Sequence, residues 1–244
     1  MSKYLVQATW DDCGHLADEE KEAMFAALPP HQRDARSKGI PALGSGAIYP
    51  VPESEITVDP FPLEDWYLRC CGMDVGWNWT AAVWIARNPD TGVCYLYDVY
   101  KAGQHEPAIH ANAIRARGDW MPISIDPAAR GRGQKDGSQL YEDYFDLGLD
   151  LIKADNSRES GIYQVWQMLS TGRLKIFSTC QAWLQEYRLY RRDEKGQIVK
   201  ENDHLMDSTR YGIVTGLNYA SMAPSSESND FDFDRGGRNA VTGY

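Results

Sequence analysis

Apolar positions run in short blocks through the middle of the chain, each bounded by glycine, proline or polar residues. The first block, Trp66–Cys71, leads into Gly72-Met73-Asp74-Val75-Gly76 and is typical of a largely buried strand that ends in an acid. The pattern then predicts strands over Thr80–Ala86 and Val93–Tyr100. The turn residues Asn88-Pro89-Asp90-Thr91-Gly92 join these two as an antiparallel hairpin. We therefore expect a meander of three neighbouring strands.

After the meander, helices and strands alternate along the chain. Residues 106–117 have a helical composition, and Pro122–Asp126 is predicted as a second short strand that ends in an acid. The segments that follow are predicted as a helix over 139–147, a strand over 149–153, a helix over 161–170, a strand over 174–177, a helix over 181–191 and a last helix from residue 202 or 203 to about residue 217. Such alternation implies parallel strands with helices packed on the sheet. The predicted fold class is α/β, with a mixed sheet flanked by helices.

The two ends of the chain differ in composition from its middle. Residues 1–62 contain a charged segment with helical spacing, Asp18–Leu28, followed by prolines and glycines that forbid long regular elements. We expect residues 1–62 to form an extended connecting segment and residues 63–217 to form one domain. Residues 218–244, which beyond Ala223 are rich in Ser, Asp, Gly and Arg, are expected to form a flexible tail.

The amino-acid composition and the net charge limit the classes of protein to which this chain could belong. The 244 residues are 43% hydrophobic, which is enough for one full core. Because no apolar run reaches about 18 residues and no signal-peptide pattern opens the chain, we expect an intracellular protein with no membrane partner. Five scattered cysteines without a Cys-x-x-Cys pair argue against a disulfide framework and against a zinc site. A net charge of -10 argues against a generic nucleic-acid coat, but it permits an enzyme whose acidic centre is neutralised by metal ions.

Three aspartates occupy positions that the sequence pattern predicts to be at least partly buried, where an ionised carboxylate is energetically costly. Asp74 ends the first strand, Asp126 ends the strand after the first predicted helix, and Asp207 lies among apolar residues of the last helix. Asp203 and His204 are spaced to share one helical face with Asp207. Asp203 alone is more often a helix cap, and His204 alone is more often a hydrogen-bonded neighbour. Together, the repelling acids on one face favour a bound cation.

The order of these acids along the chain is that of the ribonuclease H-like arrangement. Two Mg²⁺ or Mn²⁺ ions, about 3.5 to 4 Å apart, suit such hard oxygen ligands. One ion would activate water and the other would stabilise the leaving 3′ oxygen. The expected chemistry is phosphodiester hydrolysis.

The chain resembles the large subunit of the terminase that packages DNA into tailed-phage capsids. The resemblance covers about residues 63–217 and rests on three motifs, which are Gly72-Met73-Asp74-Val75-Gly76, Ile125-Asp126-Pro127-Ala128 and Asp203-His204-x-x-Asp207-Ser208-x-Arg210-Tyr211. Upstream, Thr9-Trp10-Asp11-Asp12 and the stretch from Pro29 to Pro41 look like the end of the family's ATP-driven motor domain. The motor's Gly-x4-Gly-Lys-[Ser/Thr] loop does not occur in this sequence.

This resemblance implies a metal-dependent endonuclease that cuts concatemeric double-stranded viral DNA in the host cytoplasm during genome packaging. It makes Asp74, Asp126 and Asp207 the catalytic metal ligands, with Asp203 as a further candidate ligand and His204 in a supporting role. It also implies the motor ATPase domain, the portal and the small terminase subunit as partners. Packaging activity itself does not carry over to a sequence without the motor.

Basic side chains near the acids are candidates for contacts with DNA phosphates. They belong to the glycine-rich loop after Asp126 and to a charged hairpin that turns at Lys195-Gly196, and they are Arg130, Arg132, Lys135, Arg188, Arg191, Arg192, Lys195 and Lys200. Each of them alone is more often a solvated surface charge. Their placement beside the acids favours DNA contact for the group.

Two other functions stay open from the sequence. The stretch Asp74-Val75-Gly76-Trp77-Asn78-Trp79-Thr80 fits the Asp-x-Gly-x-x-x-Thr phosphate turn of actin-like and sugar-kinase ATPases, although a second phosphate turn and a glycine-rich adenosine motif are not found. The other function is that of a non-catalytic docking module. It would use the acidic, aromatic segment Asp230–Asp234 to bind another packaging component.

Overall fold

The computed structural model describes residues 9–27, 37, 46–127, 140–193 and 195–224. The strands in this part of the chain are β1 (Thr57–Val58), β2 (Leu68–Asp74), β3 (Thr80–Arg87), β4 (Cys94–Ala102), β5 (Ile123–Ile125), β6 (Leu151–Lys153) and β7 (Leu174–Phe177). The helices are α1 (Asp18–Ala27), α2 (Glu53–Ile56), α3 (Pro107–Arg115), α4 (Leu140–Asp146), α5 (Arg158–Ser170), α6 (Gln181–Leu189) and α7 (His204–Val214). The predicted order of strands and helices after residue 63 is confirmed.

The strands form one mixed sheet in the order β1-β7-β4-β3-β2-β5-β6. The pairs β2–β3 and β3–β4 are antiparallel, and the other four pairs are parallel. The turn between β3 and β4 is closed by the Asn88 side chain, which accepts hydrogen bonds from the backbone N–H groups of Asp90 and Thr91. Gly92 in this turn has a φ of +71°, a conformation that favours glycine. The meander predicted from these turn residues is therefore confirmed.

Both faces of the sheet are covered by apolar side chains. Alternate residues of β3 divide between the two faces, so that Val83 and Ile85 face one cluster and Trp84 faces the other. The first cluster draws its helical residues from α2, α5, α6 and α7, and the second draws them from α3 and α4. This explains why β3 is a continuous apolar run rather than an alternating one.

None of the helices in the described part of the chain has the length and apolar composition that a membrane-spanning helix requires.

Helix α7 approaches β2 at two glycines, Gly72 and Gly212. A Cβ at Gly72 would collide with the backbone carbonyl oxygen of Ser208 and would lie 2.6 Å from the backbone nitrogen of Gly212. A Cβ at Gly212 would lie 2.8 Å from Cδ1 of Ile85. The helix and this strand can therefore approach so closely only because Gly72 carries no side chain, while Gly212 leaves room for Ile85 of β3. This contact fixes the start of α7 close to the end of β2.

Part of the predicted connecting segment packs against the sheet. Residues 46–58 contribute the one-turn helix α2 and the two-residue strand β1, which pairs in parallel with β7. Ile56 is fully buried, and the Tyr187 hydroxyl donates to the carbonyl oxygen of Val51 at 2.7 Å, with the carbonyl oxygen of Tyr49 3.1 Å away. The prolines of this segment exclude long elements, but they permit these very short ones. We therefore propose that the domain begins near residue 46 rather than at residue 63.

The described part of the chain also extends past the last helix. Helix α7 ends at Val214, and a 3-10 turn, Gly216–Asn218, follows it. Ser221 then forms an antiparallel bridge with Arg69 next to the start of β2. Of the predicted tail over 218–244, residues 225–244 lie outside the described residues.

Replacement of Ile56 tests whether residues 46–58 belong to the folded core. Ile56→Ala should destabilise the protein by about 2–5 kcal/mol, because it opens a cavity at a fully buried position. Since about 1 kcal/mol corresponds to roughly 2–4 °C in a domain of this size, the thermal midpoint should fall by about 10 °C. The matched control is Ile109→Ala, at a position that is 50% exposed, where we expect almost no change. Equal midpoints for the two variants would show that the segment is not part of the core.

Candidate functional site

Two acids lie side by side at one edge of the sheet. Asp74 is the last residue of β2, and Asp126 directly follows β5. The two strands are parallel neighbours, with Met73 paired to Ile125, and the backbone N–H of Asp126 donates to the carbonyl oxygen of Met73 at 2.9 Å. The parallel register therefore brings both predicted carboxylates to the same edge.

The first turn of α7 meets the two strand ends. His204 Nδ1 lies 2.9 Å from Asp74 Oδ2. An ionised Asp74 carboxylate can only accept, so with Asp74 in that form Nδ1 of His204 is the donor. Asp203 occupies the N-cap position, but its side chain makes no capping hydrogen bond. The capping role, which is the commoner one for such an aspartate, is therefore not seen here. The backbone oxygen of Asp203 instead accepts from the Asp207 N–H at 2.8 Å, and both acids are buried.

These acids are electrostatically coupled. Burial raises the pKa of Asp74, the hydrogen bond from His204 opposes this rise, and the charges of Asp207 and Asp126 add to it. Burial also raises the pKa of Asp203, and the charge of Asp207 adds to that rise. The hydrogen bond to Asp74 raises the pKa of His204. The structure therefore brings together all five residues that the sequence analysis named around the acids.

Two arginines bind Asp207, and neither was given a role in the sequence analysis. Arg210 donates to Asp207 Oδ1 through Nε at 3.2 Å and through Nη2 at 3.0 Å, while Nη2 of Arg158 lies 3.2 Å from Asp207 Oδ2. The Arg210 side chain is 1% exposed, whereas that of Arg158 is 34% exposed. Arg210 could have been found from its spacing, three residues after Asp207 on one helix. Arg158 begins α5, and no local pattern links it to the acids.

A tyrosine holds the second strand-end acid. The Tyr211 hydroxyl donates to Asp126 Oδ1 at 3.1 Å, and the Arg210 guanidinium lies 4.4 Å from the centre of the Tyr211 ring. Burial and the charge of Asp126 raise the pKa of Tyr211, so the hydroxyl keeps its proton and remains a donor. Tyr211 follows Asp207 by four residues, which is the signal that could have identified it.

The donors suit a hard divalent cation, but they do not form a closed cage. In the described ranges, no group of three or more His, Cys, Asp or Glu side chains is placed to hold a metal ion. Both oxygens of Asp207 are already bound by arginines. Mg²⁺ is usually held by one or two carboxylates, with water and substrate phosphate completing its shell. The buried, mutually repelling acids therefore fit a divalent ion with few protein ligands.

The predicted DNA-contacting residues fall into three groups. Arg130, Arg132 and Lys135 lie outside the described residues. Arg188 and Arg192 are engaged within the fold, because Arg188 makes two hydrogen bonds to Glu53 and Arg192 makes two to Glu159. Arg191, Lys195 and Lys200 are exposed on the predicted hairpin, whose arms meet at the bridge between Arg192 and Ile198.

The possible phosphate turn after Asp74 is closed by its own threonine. Thr80 is buried at the start of β3, and its hydroxyl donates to the carbonyl oxygen of Gly76 at 3.2 Å. In this arrangement the threonine hydroxyl stabilises the loop. This geometry does not favour the actin-like alternative.

Comparisons with known proteins agree on one family. The model of the family described as "Terminase RNaseH-like domain" matches residues 71–215, more than half of the chain. The chain is 35% identical to the terminase large subunit of Enterobacteria phage LP7 over 224 residues, which are 88% of this chain and 47% of the relative. It is also 35% identical to that of Salmonella phage P22 over 221 residues, 87% of this chain and 44% of the relative. The chain therefore spans somewhat less than half the length of these relatives.

Solved structures show the same fold. The nuclease domain of the P22 large terminase has a TM-score of 0.67 and 33% identity, and the match covers 73% of this chain and 96% of that domain. The large terminase nuclease of thermophilic phage G20c, solved with bound magnesium, has a TM-score of 0.51 and 15% identity over 72% of this chain and 98% of that chain, which shows the fold alone. The expected ribonuclease H-like sheet is confirmed, and the chain belongs to the family of terminase RNase H-like domains.

Proposed function

We propose that this chain is a divalent-metal-dependent endonuclease that cuts concatemeric double-stranded DNA during phage genome packaging. Asp74, Asp126 and Asp207 are the proposed metal ligands, with Asp203 as a further candidate. The proposed ions are two Mg²⁺ or Mn²⁺. The proposed partners are DNA, the motor ATPase domain, the portal and the small terminase subunit, and the proposed location is the host cytoplasm.

The main support for the proposal is the electrostatic coupling between the acids at the strand ends, Asp74 and Asp126, and those at the start of α7, Asp203 and Asp207. Buried carboxylates whose charges repel one another need a cation or a proton, since each uncompensated buried charge costs several kcal/mol. Membership of the terminase RNase H-like family supports the cation. The magnesium bound to the related fold in phage G20c supports the same choice. When bound, such ions would activate water and stabilise the leaving 3′ oxygen.

The protein's own residues would keep the acids in place. The Tyr211 hydroxyl fixes one oxygen of Asp126, and His204 fixes one oxygen of Asp74. Arg210 is buried and makes two hydrogen bonds to Asp207 Oδ1, so it orients that carboxylate from behind.

Arg158 is the more exposed of the two arginines that bind Asp207. It makes one hydrogen bond at 3.2 Å, and a third of its side chain is exposed. We infer that Asp207 Oδ2 would be available to hold a metal ion if Arg158 contacted a DNA phosphate instead, a contact for which a guanidinium is well suited. The exposed side chains of Lys195 and Lys200 would add further phosphate contacts.

Digestion of supercoiled plasmid tests the proposed activity and its ligands. The wild-type chain should nick or linearise the plasmid with Mg²⁺ or Mn²⁺ and leave it intact in chelator. Asp74→Asn, Asp126→Asn and Asp207→Asn should each lower the rate at least 100-fold, because each removes a ligand charge at nearly constant shape. The matched control is Asp90→Asn, in the exposed turn at the opposite end of β3, which should cut as the wild type does. Full activity in one of the three variants would remove that residue from the ligand set.

Melting temperatures in chelator at neutral pH should separate Asp74 from Asp207. Asp74→Asn should leave the thermal midpoint unchanged or raise it, because burial and neighbouring acids disfavour the ionised carboxylate. Asp207→Asn should lower the stability by up to about 3 kcal/mol, because the buried Arg210 guanidinium loses its counter-charge. Equal shifts in the two variants would show that the arginines do not stabilise Asp207.

A further inference from the structure

Two tryptophans are exposed beside the acids. They belong to residues 75–79, here called the tryptophan loop, which directly follow Asp74 and connect β2 to β3. Trp77 is 62% exposed and Trp79 is 44% exposed. Large aromatic side chains are usually buried at least in part, and Trp77 lies only three residues after a proposed metal ligand. The loop therefore borders the surface that a substrate of this site must occupy.

The tryptophan loop is held in place by the residues that follow β4. A Cβ at Gly103 would collide with the carbonyl oxygen of Asn78, so the loop packs directly on the backbone of a glycine. The backbone N–H of Gln104 donates to the Trp77 carbonyl oxygen at 2.9 Å, and Gln104 has a φ of +57°. Two contacts with the segment that follows β4 thus fix the loop backbone. The exposure of the Trp77 ring is a property of the fold.

The same loop is connected to the start of α7 through a buried ion pair. Lys101 Nζ lies 4.7 Å from the centre of the Trp79 ring and 2.6 Å from Glu186 Oε1. The other oxygen of Glu186 accepts from the backbone N–H of Leu205 at 2.7 Å. Because Leu205 follows His204, one set of contacts positions both the tryptophan loop and the helix that carries the acids.

We propose that the tryptophan loop stacks on an unpaired DNA base next to the cleavage site, a proposal that rests on the proposed nuclease function. Lys101 is mostly buried and neutralised by Glu186, so the surface offers aromatic faces rather than a free cation for phosphates. Aromatic side chains bind single-stranded DNA by stacking on base faces, whatever the base. In an intact duplex those faces are covered by neighbouring base pairs. The ligand is therefore a frayed or newly cut strand end, and the loop retains that end at the site.

Fluorescence anisotropy with two labelled DNAs tests this proposal. One is a blunt duplex, and the other is the same duplex with a five-nucleotide single-stranded extension; both are titrated with the 244-residue chain in chelator, so that no cleavage occurs. The wild type should bind the extended DNA more tightly than the blunt one. Trp77→Ala should reduce this preference about tenfold, because stacking is worth about 1–3 kcal/mol per base. Trp77→Phe should retain most of it, since an aromatic face remains.

Trp66→Ala is the matched control. Trp66 is 40% exposed, but it precedes β2, so the length of that strand, about 20 Å, separates it from Asp74. This variant should keep the wild-type preference, and an equal loss in it would overturn the proposal. An unchanged preference in Trp77→Ala would also overturn it.

Plasmid cleavage by the wild type separates failure of this proposal from failure of the nuclease assignment. A wild-type chain that cuts plasmid but does not prefer the extended DNA would contradict the stacking proposal and leave the nuclease function standing. A wild-type chain that cuts nothing with either ion would remove the basis of both.

Discussion

The contact between β2 and α7 at Gly72 and Gly212 determines where the functional side chains lie. At this contact a Cβ on Gly72 would come within 3 Å of backbone atoms of Ser208 and Gly212, and a Cβ on Gly212 would lie 2.8 Å from Cδ1 of Ile85 in β3. Because the backbones can approach so closely, the first turn of α7 reaches the end of β2, and His204 hydrogen-bonds Asp74. The parallel pairing of β2 with β5 then places Asp126 next to Asp74 at the same edge of the sheet. One steric constraint and one strand register therefore assemble acids that are more than 130 residues apart in sequence.

This assembly is electrostatically unfavourable for the protein alone. Asp74 and Asp203 both have raised pKa values because they are buried near other acids. The fold offsets the repulsion with one cation that is buried, Arg210, and with a second, Arg158, whose side chain is 34% exposed. A buried ion pair of this kind is weak evidence for stability, since its desolvation offsets much of its attraction. We interpret the arrangement as one shaped by function.

Local sequence patterns were sufficient to predict the strands and the helix that carry the acids of the site. The strand that ends at Asp74, the hairpin turn at Asn88 and the helical spacing from Asp203 to Asp207 all depend on neighbours within a few residues. Contacts across the fold could not be predicted in this way. The pairing of Arg158 with Asp207 spans 49 residues, and the packing of Ile56 depends on the distant β7 and its neighbours. Similarly, the hydrogen bond from the Arg192 guanidinium to Glu159 joins residues that are 33 positions apart.

Anomalous diffraction from crystals of the 244-residue chain grown with Mn²⁺ tests the central claim most directly. A two-metal nuclease centre predicts anomalous peaks within bonding distance of carboxylate oxygens from Asp74 and from Asp126 or Asp207. It also predicts that Arg158 has left Asp207 Oδ2. The account would be contradicted by anomalous peaks found only on other parts of the surface, with Arg158 still bound to Asp207 and His204 still bound to Asp74.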